Sequence, residues 1–439
     1  MNSLLVLKQY LTTKYRRNFS SKRSLQQYQD KQIERHIEYV LKYSPFYKSF
    51  YKDFQKDITE KKWSNLPTIN KQIMMDNFDE LNTINITKEK AFEIAIKAEE
   101  TRDFSPTINN VTIGLSSGTS GNRGIFLVSE EEQYLWAGST LAKALPSSIL
   151  KKHAIAFFLR ANSNLYEATK NQRISFHFFD LLDEDKHHIQ RLNDMKPSLI
   201  VAPPSMLRKI AEWQYNKLLS IQPTKIISVA EVLEDIDKNF IESCFNQIVH
   251  QIYQCTEGFL ASTCKHGTLH INEDLVYIEK DYLDKEKGIF SPIITDFSRK
   301  TQPIIRYRLN DILVEKTSTC SCGSPFLALE RIDGRCDDIF IGSEKETDNS
   351  IQIFPDFIRR AIMLASKEIT EFKVIQHQNL NIEVKVKVKN QDSEKIYPLV
   401  EQEFLKLWEL KNCNPPSLFF SVYDLKQSDK KLKRIEKIN

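Results

Sequence analysis

Apolar residues recur along the middle of the chain in five short runs, each followed by a polar or helix-forming stretch. The runs occupy residues 154–159, 174–179, 199–202, 226–229 and 248–253. Each run is apolar on both faces, which is typical of strands buried within a parallel sheet. Strands that alternate with helices predict an α/β fold, with helices covering both faces of a mostly parallel sheet. In such sheets ligands bind at the carboxyl ends of the strands.

The two ends of the chain have different patterns. Residues 26–43 place apolar side chains on one helical face, and Ser44-Pro45 ends that predicted helix. Beyond about residue 336, residues 383–389 alternate valine with lysine, which predicts a half-exposed strand. An amphipathic helix over 393–409 and a strand over 418–422 follow. We therefore predict a large domain over residues 1–335 and a small α+β domain over residues 336–439.

Charge and composition exclude some classes of function. The chain has 62 basic and 58 acidic side chains, and its formal net charge is only +4. That balance gives no reason to expect nucleic-acid binding. No apolar run approaches the roughly 20 residues of a membrane-spanning helix. Seven cysteines in a chain of this size, with no secretory signal expected, indicate a reducing cytoplasm.

Residues 1–29 contain no acidic side chain but several lysines, arginines and serines. This composition resembles that of a transit peptide. The alternative is a folded segment, because Tyr10, Tyr15 and Phe19 are able to pack and the segment leads directly into the predicted helix. We favour the folded segment.

The strongest candidate for a binding site is a loop rich in glycine and hydroxyl side chains. It lies between two predicted strands, residues 111–115 and 125–128. The chain has eleven glycines, and three of them fall within this loop. The loop consists of Ser116, Ser117, Gly118, Thr119, Ser120, Gly121, Asn122, Arg123 and Gly124. Small residues allow several backbone N–H groups to converge, and the arginine adds positive charge, so the loop suits phosphate oxygens. A flexible linker is the alternative, whereas the P-loop of nucleotide hydrolases would require a lysine and a following helix.

Further motifs follow the loop in a fixed order. They are Ala230-Glu231, Tyr253-Gln254-Cys255-Thr256-Glu257, Arg306-Tyr307-Arg308-Leu309-Asn310-Asp311, Gly334-Arg335-Cys336-Asp337-Asp338 and Lys430-Lys431-Leu432-Lys433-Arg434. In this order they resemble the adenylate-forming superfamily of acyl- and aryl-CoA ligases and luciferases. Within it the chain looks most like the phenylacetate-CoA ligase-like branch, especially the coenzyme F synthetase-related proteins. The resemblance covers almost the whole chain.

The resemblance implies that the loop holds the β- and γ-phosphates of ATP. The loop residues implied are Ser116, Ser117, Gly118, Thr119, Ser120, Gly121 and Arg123. Thr256 would contact the α-phosphate, and Glu257 would hold Mg²⁺. Tyr253 would stack on adenine, and Glu231 matches a glutamate that closes the nucleotide pocket.

The resemblance also implies how the small domain takes part. Asp311 would bind the ribose hydroxyls, and Arg335 would contact the ribose or a phosphate. Asp337 would be the hinge about which the small domain rotates, and Lys431 would be its mobile catalytic lysine. Lys430 and Lys433 lie so close that either competes with Lys431 for that role.

Two motifs depart from the family pattern. The loop commonly ends in Pro-Lys-Gly, and here it ends in Asn122-Arg123-Gly124. Arginine still binds phosphate, with a bidentate fork. Asn310 stands where the family has glycine, and asparagine tolerates a left-handed backbone better than most residues.

Cysteine and histidine spacing suggests a second site. Cys320 and Cys322 form a tight thiol pair, and Cys264 and His270 lie in an earlier segment. Together they would supply a Cys₃His zinc site, and some members of the phenylacetate-ligase-like branch bind a structural zinc. His266 competes with His270, and the alternative is reduced cysteine packed in a core.

The implied reaction activates a carboxylic acid as an acyl adenylate with release of pyrophosphate. The acyl group then passes to a thiol, either coenzyme A or an acyl carrier protein. Alternatives are a non-thiol acceptor, as in coenzyme F synthetase relatives, or a nucleotide-binding scaffold that has lost catalysis. Residues 176–180 fall where the superfamily builds its acid pocket, and ordinary strand core is an equally good interpretation of their aromatic side chains. The acid and the oligomeric state are not given by the sequence.

Overall fold

The computed structural model describes residues 3–101, 103, 106–115, 124–159, 173–347, 349–389, 393–424 and 432–438. The chain divides into two compact units. The first consists of residues 1–309 and 314–331, and the second consists of residues 310–313 and 332–439.

The first unit contains most of the helices described. They are α1 (Ser3–Leu11), α2 (Lys22–Tyr43), α3 (Pro45–Phe50), α4 (Gln55–Thr59), α5 (Lys71–Asp76), α6 (Phe78–Leu81), α7 (Lys88–Thr101), α8 (Glu130–Ala144), α9 (Asp185–Met195), α10 (Pro204–Tyr215) and α11 (Asp235–Phe245). A π-helical turn, Thr12–Arg16, continues α1. Helix α2 begins four residues before the predicted start, because Ser21 and Ser24 form a capping box there.

Fifteen strands run from the first unit up to its boundary with the second. They are β1 (Thr107–Ile108), β2 (Val111–Leu115), β3 (Ile125–Ser129), β4 (His153–Leu159), β5 (Ile174–Asp180), β6 (Leu199–Ala202), β7 (Lys225–Ser228), β8 (Val249–Cys255), β9 (Gly258–Thr263), β10 (Leu269–Ile271), β11 (Val276–Asp284), β12 (Ile289–Asp296), β13 (Tyr307–Arg308), β14 (Asp311–Glu315) and β15 (Ala328–Arg335). The boundary between the two units falls within β14 and β15. Strands β1 to β3 form a small sheet of their own.

The large sheet has the order β11-β12-β14-β15-β10-β9-β8-β7-β6-β4-β5, with β13 paired to β12. Strands β4 to β8 pair in parallel, as the five apolar runs predict. Beyond β8 the pairs β8–β9, β9–β10 and β11–β12 are antiparallel. The change follows from chain length, because only two residues separate β8 from β9 and a parallel pair needs a crossover of a dozen or more. The α/β fold predicted from the sequence is confirmed.

The parallel half of the sheet is covered on both faces. Ile155 and Phe157 of β4 belong to a buried cluster with side chains of α1 and α8. Ala156 and Phe158, which alternate with them, belong to a second cluster with side chains of α10 and α11. Burial on both faces explains why β4 reads as a continuous apolar run.

The second unit is a small α+β structure. Its elements are β16 (Phe340–Ser343), β17 (Ser350–Ile353), α12 (Pro355–Ala365), β18 (Ile369–Gln376), β19 (Ile382–Val388), α13 (Tyr397–Leu410), β20 (Leu418–Phe420) and β21 (Ile435–Lys437). The last four strands form one sheet in the order β20-β19-β18-β21. Val384 and Val386 of β19 are buried in the core of this unit, as the alternation of valine and lysine predicts.

Candidate active site

Glu257 lies in the turn that joins β8 to β9, where Cys255 and Gly258 pair across the two strands. Its carboxylate is held by two hydroxyl groups. Tyr307 donates to Oε1 at 2.9 Å, and Thr256 donates to Oε2 at 2.8 Å. A carboxylate has about four acceptor positions, so two remain available. Oxygen donors of this kind are the ligands that Mg²⁺ prefers, and the group fits the metal that the resemblance implies for Glu257.

Tyr307 is positioned by the residue before it. Arg306 has a left-handed backbone with φ of 47°, and its guanidinium makes two parallel bonds of 2.8 Å to Glu279 of β11. This bidentate pair, which is nearly buried, fixes the start of β13. Burial and then the negative charge of Glu257 raise the pKa of Tyr307 well above its usual value. Tyr307 is therefore a neutral hydrogen-bond donor to Glu257 at physiological pH.

A second carboxylate lies beneath the same turn. Asp296, at the end of β12, is buried and accepts bonds from the Ser298 hydroxyl at 2.6 Å and from the Ser298 N–H at 2.8 Å. A Cβ placed on Gly258 would lie 2.6 Å from its Oδ2 atom. Only glycine therefore fits directly after Glu257. Burial raises the pKa of Asp296 to about 6, against the opposing effect of the bonds from Ser298.

Glu231 follows the end of the neighbouring strand β7. Its Oε2 atom accepts a bond of 3.3 Å from the backbone N–H of Ser205, which follows β6. Ala230 has a positive φ of 69°, an unusual conformation for alanine that turns the chain at this point. Glu231 and the Thr256–Glu257 turn thus follow the carboxyl ends of adjacent parallel strands, as predicted.

The loop implied to bind phosphate, Ser116 to Arg123, lies outside the described residues. Its flanking strands β2 and β3 pair as a hairpin, with Leu115 opposite Ile125. Gly114 faces the Phe126 ring, and a Cβ there would come within 2.2 Å of it. The predicted pair of strands around the loop is therefore confirmed.

Hydrogen bonds also connect strand β3 to parts of the first unit outside the hairpin. Gln302 accepts a bond of 2.9 Å from the N–H of Leu127 and donates to the carbonyl of Ile125 at 3.2 Å. Glu132 caps α8 and also accepts bonds of 2.6 and 2.8 Å from two N–H groups of the 300–301 segment. The exit of the loop is therefore fixed to the segment that precedes Arg306 and Tyr307.

Within the second unit, Asp311 and Arg335 lie together. Arg335 Nε is 3.8 Å from Asp311 Oδ1, and both side chains are partly exposed. The side chain of Asn310 donates a hydrogen bond to Asp337. Asn310, which departs from the family pattern, thus contacts the residue that the resemblance implies to be the hinge.

The three competing lysines are not equivalent. Lys433 lies 3.0 Å from the buried carboxylate of Asp338 and is mostly covered itself. Burial raises the pKa of Asp338, and the charge of Lys433 opposes that shift. Lys430 and Lys431 lie outside the described residues.

Four candidate zinc ligands converge in the first unit. The ligand atoms of Cys264, His270, Cys320 and Cys322 all lie within 4.8 Å of one another. The sulfur atoms of Cys264 and Cys320 are 3.7 Å apart, and Cys322 Sγ is 3.4 Å from His270 Nε2. Tetrahedral zinc with ordinary bond lengths would place such atoms about 3.8 Å and about 3.6 Å apart.

The surroundings of this cluster also suit a metal. His270 Nδ1 lies 3.2 Å from the carbonyl oxygen of Phe326, which can only accept. Nδ1 therefore carries the proton, and the lone pair of Nε2 points at the cluster. The backbone N–H groups of His266 and Ser324 approach the sulfur atoms of Cys264 and Cys322. His270 is buried and the competing His266 is exposed, so the geometry selects His270.

Comparison with models of known protein families finds no match. Protein CapK of Staphylococcus aureus is 26% identical over 215 residues, which are 48% of this chain and 46% of that protein. The match therefore spans about half of each.

Solved structures match over far more of the chain. A 2-hydroxyisobutyryl-CoA ligase in the postadenylation state, in complex with 2-HIB-AMP, superposes with a TM-score of 0.74. At 15% identity it covers 97% of this chain and 91% of that one. ATP-bound MatB from Rhodopseudomonas palustris has a TM-score of 0.51 and 14% identity, over 75% and 67% of the two chains. This chain has the fold of the adenylate-forming CoA ligases.

The aromatic strand where this ligase fold was expected to build its acid pocket is β5. Phe176 packs on Phe157 with ring centroids 5.1 Å apart, and Phe179 packs on Phe158 at 4.5 Å. The two phenylalanines lie in the cores on opposite faces of the sheet, whereas His177 is exposed. Of the two interpretations left open, strand core is the one that describes Phe176 and Phe179.

Three residues around Glu257 were not singled out from the sequence. Tyr307 was quoted only as part of a motif, although it supplies one of the two bonds that hold Glu257. Asp296 ends a strand that is buried throughout, and that position was a usable signal. Glu279 lies in a strand with several charged residues and carries no comparable signal.

Proposed function

We propose that this protein uses ATP to activate a carboxylic acid as an acyl adenylate, with release of pyrophosphate. The observation that carries the proposal is the oriented Glu257 carboxylate at the carboxyl edge of a ligase-like fold. Solved structures of this fold hold an acyl-AMP, ATP and CoA. The phenylacetate-CoA ligase-like branch remains our preferred placement within the fold.

The proposed ATP site in the first unit combines described and undescribed residues. Glu257 would hold Mg²⁺ through its two remaining acceptor positions, with Thr256 beside the α-phosphate. When bound, the metal neutralises negative charge on the phosphates. Tyr253 would stack on adenine, and Glu231 would close the pocket. The loop Ser116, Ser117, Gly118, Thr119, Ser120, Gly121 and Arg123 would bind the β- and γ-phosphates through its N–H groups and guanidinium.

In the first step a carboxylate oxygen of the acid bonds to the α-phosphorus of ATP. The bond from that phosphorus to the bridging oxygen breaks, and pyrophosphate leaves with the electron pair. The chain's own residues hold the two reactants in line and balance the charge that builds on the phosphate oxygens. In the second step a thiolate attacks the acyl carbonyl and AMP leaves. We propose a thiol acceptor, either coenzyme A or an acyl carrier protein.

In the second unit we assign ribose binding to Asp311 and a ribose or phosphate contact to Arg335. Asp337 would serve as the hinge. Lys431 is proposed as the catalytic lysine in preference to Lys433, because Lys433 is already paired with the buried Asp338. Removal of Lys433 would leave that carboxylate buried without its cation.

We also propose that Cys264, His270, Cys320 and Cys322 bind a structural zinc ion. All four positions would be protein ligands, which is typical of structural and not of catalytic zinc. We also place the protein in a reducing cytoplasm, which would keep these cysteines available as metal ligands.

The test is exchange of radiolabelled pyrophosphate into ATP, driven by a panel of carboxylic acids. We expect exchange with at least one acid, and a loss of about a thousandfold in Lys431→Ala. Lys433→Ala is the matched control, and we expect it to lower stability more than exchange. ATP binding without exchange across the panel would favour the scaffold alternative. Loss of exchange in Lys433→Ala with an active Lys431→Ala would reverse the lysine assignment. Product analysis with coenzyme A then separates thiol from non-thiol acceptors.

A further inference from the structure

Helix α1 is firmly packed on one side. Val6 and Tyr10 are buried in the cluster that covers the sheet. Gln9 donates to the Ser139 hydroxyl of α8 at 2.8 Å. Gly138 permits the close approach, because a Cβ there would lie 2.6 Å from the carbonyl oxygen of Val6. The helix is therefore a fixed part of the first unit.

The opposite side of the same helix exposes large apolar side chains. Leu4 is 74% exposed, Leu7 41%, Leu11 45% and Tyr15 61%. Their spacing of three and four residues places them along one stripe. The expectation that Tyr15 packs is therefore wrong, whereas Tyr10 and Phe19 do pack, since Tyr10 is buried and Phe19 contacts Tyr28.

A neighbouring loop presents a further exposed apolar side chain. The backbone N–H of Ile149 donates to the Tyr10 hydroxyl at 3.3 Å, which brings the loop against α1. The next residue, Leu150, is 69% exposed. We call Leu4, Leu7, Leu11, Tyr15 and Leu150 the α1 surface. A cluster of exposed apolar residues of this size marks an interaction site.

The segments that form the α1 surface are rich in basic side chains, although Arg17 pairs with the buried Asp274. Residues 1–29 contain six lysines and arginines and no acid, and Lys151 and Lys152 follow Leu150 directly. Lys225, which starts β7, lies near Lys14. Burial and then the charge of Lys14 lower the pKa of Lys225 to about 8.

We infer that the α1 surface docks on an anionic lipid bilayer, with its apolar side chains in the interface and its cations at the headgroups. An apolar stripe flanked by lysine and arginine is the pattern of interfacial helices. A second copy of the chain fits less well, because a symmetric contact would bring the same cations against each other. Among the described residues no helix is long and apolar enough to cross a membrane, so the contact is peripheral.

The docking side lies away from the candidate active site within the first unit. Tyr10 contacts the loop before β4, and Lys14 lies near the first residue of β7. Glu231 and Glu257 follow the carboxyl ends of strands in the same parallel array. Docking on the bilayer therefore leaves the ATP edge of this unit facing the aqueous phase.

The test is flotation of the full chain with vesicles of one part phosphatidylglycerol to two parts phosphatidylcholine. We expect binding to these vesicles and weak binding to pure phosphatidylcholine. The double variant L7S/L11S should lower the partition coefficient by about tenfold or more. The matched control is L182S/L218S, at leucines of the first unit that are 54% and 53% exposed.

Two further measurements make the outcome decisive. Pyrophosphate exchange and thermal unfolding should be unchanged in L7S/L11S, because neither side chain is buried. High salt should weaken vesicle binding of the wild type. Equal binding by L7S/L11S and wild type, or no binding to anionic vesicles at low salt, would overturn the inference. So would a concentration-dependent dimer that L7S/L11S abolishes, since that result assigns the surface to a second copy.

Discussion

The two ends of strand β9 carry opposite kinds of site. At its start, Glu257 presents oxygen atoms that are oriented by hydroxyl groups and retain spare acceptor positions. At its end, Cys264 joins a compact set of three thiols and one imidazole. The strand between them has six residues and is about 20 Å long. The Glu257 end would leave positions open for exchangeable ligands, and the Cys264 end would enclose a single metal ion with protein ligands alone.

With the two proposed sites, one strand would serve chemistry at its start and stability at its end. Hard oxygen donors bind magnesium weakly enough for a nucleotide to share it. Thiolates and imidazole bind zinc tightly, and four protein ligands leave no position for substrate. If the comparison holds, changes at the first end alter rate with little effect on folding, and changes at the second end do the reverse.

The largest effect is expected at the start of the strand. Glu257→Gln should lower acid-dependent pyrophosphate exchange by about a thousandfold, because it removes the charge that would hold the metal. The free energy of unfolding should change by less than about 1 kcal/mol, since the amide still accepts one bond and donates another. Glu330→Gln, at an exposed glutamate of β15, is the control. Retention of half the wild-type exchange would refute the assignment of Glu257.

The second largest effect is expected at the other end of β9, where Cys264 lies. Zinc at a hundredfold excess over its dissociation constant should raise the unfolding free energy of the wild type by about 2.7 kcal/mol. Cys322→Ala should lose both the bound zinc and that increase, whereas Cys244→Ala in α11 should keep both. Metal analysis of the purified protein and unfolding with and without a chelator are the measurements. Wild type that contains no zinc, with thiols that titrate freely in the native state, would end the zinc proposal.

The sequence predicted the parallel half of the sheet well and the antiparallel half poorly. Strands β4, β6 and β7 are largely buried on both faces and read as apolar runs, whereas β5 and β8 also carry exposed or half-buried polar residues. Strand β8 continues to Cys255, beyond its predicted end at residue 253, because the last residues pair with β9. That pairing depends on a turn of two residues, and hydrophobic periodicity carries no information about it.

Motifs located Glu257 but not what orients it. Tyr307 reaches Glu257 from fifty residues away, and Arg306 meets Glu279 across 27 residues. Such contacts follow from the order of strands in the sheet and not from local pattern. The cluster of candidate zinc ligands was accessible to prediction because cysteine and histidine are rare enough in the sequence to be counted. His266 is distinguished from His270 only by its exposure in the structure. The sequence does not show which of the two is buried.

The smallest expected effect concerns the start of β9, where the buried Asp296 lies beneath the half-buried turn of Thr256 and Glu257. Because burial raises the pKa of Asp296 to about 6 from a usual value near 3.8, the folded state binds a proton that the unfolded state has lost between these two pH values. Stability therefore falls as the pH rises from about 4 to about 6, by an amount on the order of 2 kcal/mol.

Asp296→Asn should lack this fall, because the amide carries no charge and its oxygen still accepts the two bonds from Ser298. As the pH rises from about 4 to about 6, Asp296→Asn should therefore become more stable relative to the wild type. Urea denaturation at several pH values measures this difference in unfolding free energy. Other titrating groups are common to both proteins and cancel in the difference. A difference that is flat with pH would mean that the pKa of Asp296 is the same in the folded and unfolded states, and would refute its shift by burial.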